Sequence, residues 1–390
     1  MINMNKKMKY SLFGVIIVIA CLTGLYLADS HSVSGKFPND LALGKESDEQ
    51  LTPDERAEKI VAKMTDSQKI GQLMMIGIQA PNLDQDARYM FTEFSCGNVI
   101  LFDRNMQTPE QVKSLTDDIK RVVTGTCGVL PLIAVDQEGG SVMRMKGSLP
   151  DMPSAEAIGG ESVETGEKWA VKTGEALSKI GINTNFAPVV DLDAAYHRSY
   201  GKTPEQVVPF AEAVIRGYTS TGIKTSLKHF PGIGKVKTDP HIDGDVVNIT
   251  RAELEKEDGK PFRDLIAKTN PENTFIMVSN VTFPNLDGEN PACLSKAIMT
   301  DLLRNDYGFK GLILSDDMEM GAISKHYQFR DVGVKAIEAG ADIILVCHDY
   351  EHEQEVFNGL LSAYRNGKLD KRQIDERVKR IIKIKLSLIQ

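Results

Sequence analysis

Gly311-Leu312-Ile313-Leu314-Ser315-Asp316-Asp317 is a short apolar run that ends in polar and acidic residues. It is too short for a helix, and its apolar residues are continuous, not alternating. It therefore reads as a strand buried on both faces. The pattern recurs outward in both directions. Matching runs are Leu73 to Ile78, Asn98 to Phe102, Pro131 to Val135, Ile182 to Val190, Lys224 to Phe230, Thr274 to Ser279 and Asp342 to Val346. Amphipathic stretches lie between most of them, including Pro109 to Val123, Ser162 to Ile180, Pro204 to Thr221 and Lys296 to Asn305. Two more, Glu351 to Arg365 and Lys371 to Leu388, close the chain. Apolar strands alternating with helices predict an α/β fold, a (β/α)8 (TIM) barrel, as a single catalytic domain over 51–390. A doubly wound open sheet is the alternative. No glycine-rich phosphate loop follows the first run, so that fold would lack its usual functional partner.

The ends of the runs favour a barrel with chemistry at one mouth. Val135 leads to Asp136, Val190 to Asp191, Leu227 to Lys228 and His229, Ser279 to Asn280, and Leu314 to Ser315, Asp316 and Asp317. Barrel enzymes carry their reacting groups at the C-terminal ends of strands. One such residue is an ordinary loop group or helix cap; five in the same relative place form a pattern.

The chain has 390 residues, 42% hydrophobic, with a formal net charge of −8. The acidic balance argues against a nucleic-acid partner, which favours a basic face. At the N-terminus, Lys6, Lys7 and Lys9 precede an apolar run from Leu12 to Ala28. A basic segment before an apolar one is an export signal. Val18-Ile19-Ala20-Cys21 fits a bacterial lipoprotein pattern with Cys21 as the lipidated residue. An uncleaved anchor helix and simple cleavage are the alternatives, though the run is short for a spanning helix. Each reading puts the rest of the chain outside the cytoplasmic membrane, in the cell envelope. Residues 1–28 are thus the signal or anchor segment. Residues 29–50, rich in Ser, Gly, Asp and Pro, form a flexible tether. Thr52-Pro53-Asp54-Glu55 then opens a helix. Cys96, Cys127, Cys293 and Cys347 lack the close pairing of a zinc site and read as buried thiols, with a disulfide as the alternative.

Four constellations carry the candidate chemistry. The sharpest is Lys228-His229-Phe230-Pro231-Gly232-Ile233-Gly234, followed by Asp239-Pro240-His241. In an extended loop, residues i and i+2 point the same way, so the Asp239 carboxylate can orient the His241 ring. A bare Asp-x-His is otherwise an ordinary polar loop. The second is Ser315-Asp316-Asp317, acids suited to attack an anomeric carbon, bind a metal or cap a helix. The third is Asp136-Gln137-Glu138-Gly139-Gly140 with Arg144: a strand-end acid to grip hydroxyls, and two glycines to let the backbone approach a ligand. The fourth is Asn185 to Asp191 with Arg198, a guanidinium able to pair with hydroxyl or acyl oxygens.

In this order, these motifs resemble the family 3 glycoside hydrolases, in their β-N-acetylglucosaminidase (β-hexosaminidase) branch. Pro291-Ala292-Cys293-Leu294-Ser295 and Ala339-Gly340-Ala341-Asp342 add to the likeness, which covers Leu51 to Gln390. The resemblance implies an exo-acting, retaining enzyme that releases terminal N-acetylglucosamine without a metal or other cofactor. It assigns Asp316 as nucleophile, His241 as general acid/base and Asp239 as its partner. It gives Asp136, Arg144, Arg198, Lys228 and His229 to the terminal sugar, and leaves Asp191 and Asp317 as supporting groups. A membrane-anchored enzyme of this kind would act on peptidoglycan fragments. Ile233, Lys235-Val236, Pro240, Ser141 and Asn280 depart from the family pattern, and the loop from Asp191 to Arg198 is shorter than usual. The alternatives are another family 3 exo-glycosidase such as a β-glucosidase, a weakened glycan-binding lipoprotein and, more distantly, a metal-dependent hydrolase.

Overall fold

A computed structural model describes residues 51–236, 245–288 and 290–388. The expected anchor and tether, with Cys21, and the Asp239–His241 pair lie outside the described residues. Among those described, no helix is long and apolar enough to cross a membrane.

The strands are β1 (Met74–Ile76), β2 (Asn98–Leu101), β3 (Leu132–Val135), β4 (Thr184–Asn185), β5 (Lys224–Phe230), β6 (Thr274–Val278), β7 (Ile313–Asp317) and β8 (Ile343–Val346). They form a closed parallel barrel in chain order, with β1 pairing β8. Every expected strand is present; β1 keeps three of the six residues from Leu73 to Ile78, and β4 and β7 differ more tellingly. The run from Ile182 to Val190 keeps only two ladder residues, and Pro188 within it has no N–H to donate. A separate bridge, Val189 to Lys228, carries the contact onward to β5. Strand β7 continues past Leu314 through Ser315 to Asp317, with an irregular register against β8 over that stretch. The acids expected just after a strand are its last residues.

The helices follow the expected periods. Helix α1 (Pro53–Lys63) starts in a capping box, the Thr52 hydroxyl accepting from the Glu55 N–H while the Glu55 carboxylate accepts from Thr52. Helix α2 (Asp66–Gln72) leads into β1. Helix α3 (Pro109–Cys127) turns Val112, Leu115, Thr116, Ile119 and Val123 toward the barrel, a stripe with helical spacing. Helices α4 (Val163–Lys179) and α5 (Pro204–Ser220) cover β4 and β5. The stretch Ala297–Asp306 is helical as expected but wound as a π-helix. Helices α6 (Phe329–Ala339), α7 (Tyr350–Arg365) and α8 (Lys371–Leu386) complete the ring. Strand residues such as Ile133, Val135, Leu314 and Leu345 are buried. Each side chain of this kind contributes about 1.5–3 kcal/mol by leaving water. Cys96, Cys127, Cys293 and Cys347 are free and buried, matching the thiol reading over the disulfide.

Candidate active site

Parallel strands in a closed ring end on one face, so their last residues meet at one mouth. There a cavity of about 710 Å³ is lined by Asp136 and Glu138 after β3, Asp191 and Arg198 after β4, and Lys228 and His229 in β5. Arg144, Asp316 and Asp317 from β7, Glu319 and His348 also line it. The expected residues Asp136, Arg144, Arg198, Lys228, His229 and Asp316 therefore share one cavity, though up to 180 positions separate them in the chain.

An ionic cluster forms its inner wall. Lys228 Nζ is 2.7 Å from Asp136 Oδ1 and 2.6 Å from Glu138 Oε1. These contacts use two of its three N–H donors. Arg198 donates to Glu138 through Nε and Nη2, both at 2.8 Å. Burial opposes the charge on Glu138, yet Lys228 and Arg198 hold its carboxyl well below the usual carboxylate range. Burial likewise opposes the charge on Lys228, and Asp136 and Glu138 overcome it, raising the pKa. Glu138 and Lys228 therefore both stay ionised across the physiological range. Arg144 lies 3.6 Å from Asp136 Oδ2, and its buried Nε has no hydrogen-bond partner among the described residues. Buried donors of this kind are rare unless a ligand completes them.

The Lys228–His229 peptide bond is cis. Asp191, buried beneath the turn, accepts His229 Nδ1–H at 2.7 Å, the His229 backbone N–H at 3.2 Å and the Ile233 N–H at 2.8 Å. It orients the imidazole and ties down the turn in which Ile233 stands. His229 Nε2 lies 3.5 Å from Arg198 Nη2.

Asp316 accepts the Asp317 N–H at 2.8 Å. Burial raises its pKa, and His229, that N–H and Lys228 oppose the rise. Asp317 pairs with His348 Nε2 at 3.0 Å, and this partner raises the His348 pKa against the effect of burial. Asn280 Nδ2 donates to the Asp317 carbonyl at 2.7 Å. Glu319 accepts from the Cys347 N–H at 2.7 Å and pairs with His352 at 2.7 Å. The end of β7 is thus braced from β6 and from the loop after β8.

The structure corrects one expectation. Gly139 and Gly140 have φ of 104° and 59°, but they admit protein, not ligand. A Cβ on Gly139 would lie 2.4 Å from the Pro153 carbonyl, and one on Gly140 2.7 Å from Ser154 Cβ. Their smallness lets the segment around Pro153 close over the turn. Glu138 and His348 were not singled out from the sequence. Glu138 follows a candidate by two residues. His348 follows the run Asp342 to Val346, the strand-end position that marked the others.

Fold and mouth define a (β/α)8 barrel with an ionic, carboxylate-rich site at the C-terminal ends of its strands. Residues 64–384 match the family model described as the glycosyl hydrolase family 3 N-terminal domain. Over 299 residues the chain is 34% identical to a β-hexosaminidase of Neisseria gonorrhoeae, covering 73% of this chain and 81% of that protein. It is 29% identical to the β-hexosaminidase A of Pseudoalteromonas piscicida, covering 84% of this chain but 62% of that one. A solved family 3 β-N-acetylglucosaminidase from Paenibacillus sp. superposes with a TM-score of 0.81 at 35% identity, over 84% of this chain and 63% of its own. The chain thus spans less than two thirds of these last two relatives. It belongs to glycosyl hydrolase family 3.

Proposed function

We propose that the protein is an exo-acting, retaining β-N-acetylglucosaminidase that removes terminal N-acetylglucosamine. Its natural substrates are peptidoglycan fragments, and it works in the cell envelope, held to the membrane through a lipid on Cys21. One observation carries the catalytic reading. Asp316, a strand-end carboxylate, lines the same cavity as the ion-paired Lys228–Asp136–Glu138–Arg198 cluster, whose Lys228 and Glu138 are buried. Such a cluster suits the hydroxyl-rich end of a sugar, because it sets charged donors beside charged acceptors.

In the first step Asp316 attacks the anomeric carbon while His241, charged and oriented by Asp239, protonates the departing oxygen. The glycosidic bond breaks and a glycosyl ester forms on Asp316. In the second step the now neutral His241 takes a proton from water, whose oxygen displaces the ester and frees Asp316. Two inversions retain the configuration. Asp136, Arg144, Arg198, Lys228 and His229 hold the terminal sugar, and Asp191 and Asp317 position their neighbours. The acetamido preference follows the names of the relatives and the family motifs.

One experiment tests chemistry and placement together. Cells expressing wild type, Cys21→Ser or Asp316→Ala are fractionated and assayed with aryl β-N-acetylglucosaminide beside aryl β-glucoside. Wild-type activity should sit in the membrane fraction and favour the acetamido substrate. Cys21→Ser should move it out of that fraction. Asp316→Ala should lower kcat on the order of 10⁴-fold or more. Activity untouched by Asp316→Ala would remove the nucleophile assignment, and equal release from both substrates would remove the acetamido preference.

A further inference from the structure

The turn from Asp191 to Arg198 has a feature that holding the terminal sugar does not use. Asp193, Tyr196 and His197 have φ of 52°, 60° and 61°. Non-glycine residues enter this region seldom and stay there only where their surroundings over-determine it. Here they do. Ser199 Oγ donates to the Asp191 carbonyl at 2.7 Å, and the Asp193 N–H to Gly201 at 3.0 Å. The Glu156 N–H donates to the His197 carbonyl at 3.2 Å, and the Glu156 carboxylate pairs with the His197 ring. The next residue is the Arg198 that Glu138 grips twice. The neighbouring turn presses close, since a Cβ on Gly234 would lie 1.7 Å from the Leu192 carbonyl.

What this rigid turn presents is the ring of Tyr196. Among the described residues three large apolar side chains are exposed, Tyr89, Tyr196 and Val246. Tyr196 is the most exposed at 68%, and of the three it alone lines the cavity. Lys228 and Glu138 mark the buried end of that cavity. An exposed lining residue therefore belongs to its rim, where the part of the substrate beyond the terminal sugar must lie. A pyranose has an apolar face of C–H bonds, and a solvent-facing aromatic ring with only two side-chain torsions, carried on a held backbone, offers it a matching surface at modest entropic cost.

We propose that Tyr196 is the platform of a leaving-group subsite, its ring stacking on the sugar unit released by cleavage. The enzyme then favours glycan leaving groups over small ones. The inference rests on the glycosidase reading above, and its test separates the two. The measurement is kcat/KM for the β-1,4-linked disaccharide of N-acetylglucosamine and for N-acetylglucosaminyl β-fluoride, whose leaving group cannot stack. Wild type, Tyr196→Phe and Tyr196→Asn are compared. Asparagine tolerates the left-handed backbone and removes only the ring. Tyr196→Asn should lower the disaccharide value roughly three- to tenfold, mainly through KM, with the fluoride held within about twofold and Tyr196→Phe close to wild type on both. Equal loss on both substrates would make Tyr196 a structural residue, and no loss on the disaccharide would remove the platform; either overturns the proposal. Wild type inert on both substrates would remove the glycosidase reading itself, and the platform with it.

Discussion

Both ends of the barrel bury charge, and they handle it differently. At the mouth, Lys228, Asp136, Glu138 and Arg198 pair with one another beside an open cavity. At the floor, under the N-terminal ends of the strands, each charge is enclosed by groups that close the fold. Asp342, just before β8, pairs with Arg304 at 2.7 Å and with Arg380, and accepts the Ile313 N–H at 2.9 Å. Arg304 also donates to the carbonyls of Phe309 and Gly311, both at 2.8 Å. Lys385, from α8, is buried with only neutral acceptors, Gln72 Oε1 at 2.6 Å and the Gly97 carbonyl at 2.8 Å. The floor spends its charges on joining helices to strand starts. The mouth leaves its charges facing a volume that a ligand can fill.

The largest effects should separate the two ends by activity. Lys228→Met leaves Asp136 and Glu138 without their shared cation and removes a charge from the cavity wall. It should lower kcat/KM about a hundredfold or more and destabilise the fold by about 3 kcal/mol. Asp342→Ala leaves Arg304 and Arg380 uncompensated and should cost a similar amount, about 3 kcal/mol, while kcat/KM below the melting transition stays near wild type. Urea titrations beside initial rates measure both. Loss of activity in folded Asp342→Ala would mean that the ends are coupled.

A smaller effect reverses the usual sign of damage. Burial raises the pKa of Asp316, so the folded protein holds a proton that the unfolded chain has already released. Stability therefore falls as pH rises from the ordinary carboxylate range through the raised pKa. Asp316→Asn removes that cost. It should melt above wild type at pH 7, with the gap closing at pH values acid enough to protonate Asp316 in both states, while hydrolysis is lost. A variant that melts below wild type at neutral pH would show that the carboxylate supports the fold instead.

The same contrast explains what was legible in the sequence. The strands were readable because they are buried on both faces and spell unbroken apolar runs. Strand β4 shrank within a run that holds Pro188, which lacks a donor, and β7 lengthened because a backbone ladder is indifferent to the acidity of Ser315-Asp316-Asp317. The mouth residues stood out as polar letters at the ends of those runs. Their pairings did not, since Lys228 meets Asp136 across 92 positions. Glu138 looked like a neighbour of Asp136 and is instead the acid shared by Lys228 and Arg198. Asp191 is buried because the His229 turn is built upon it. At the floor, Ala339-Gly340-Ala341-Asp342 was readable as a motif, but its use, joining Arg304 and Arg380 to β8, needed the closed ring.

The finest test of the contrast is the pH dependence contributed by Lys385. Burial lowers its pKa from 10.5 to about 7, because both acceptors that hold its amine are neutral. Between those values the unfolded chain carries a proton that the folded protein lacks, so this group makes stability rise with pH across the window. Below pH 7 both states are protonated and the contribution is flat, at its least favourable. The slope within the window approaches about 1.4 kcal/mol per pH unit. Lys385→Met abolishes the slope and leaves Gln72 and Gly97 without a donor, at about 1–3 kcal/mol. The variant should therefore be clearly less stable than wild type at pH 9, and the difference should narrow toward pH 6. This trend is opposite in sign to that of Asp316 at the mouth. Thermal melts at the two pH values decide it. A gap that stays constant would mean that Lys385 folds as a charged group, so that the floor compensates charge as the mouth does.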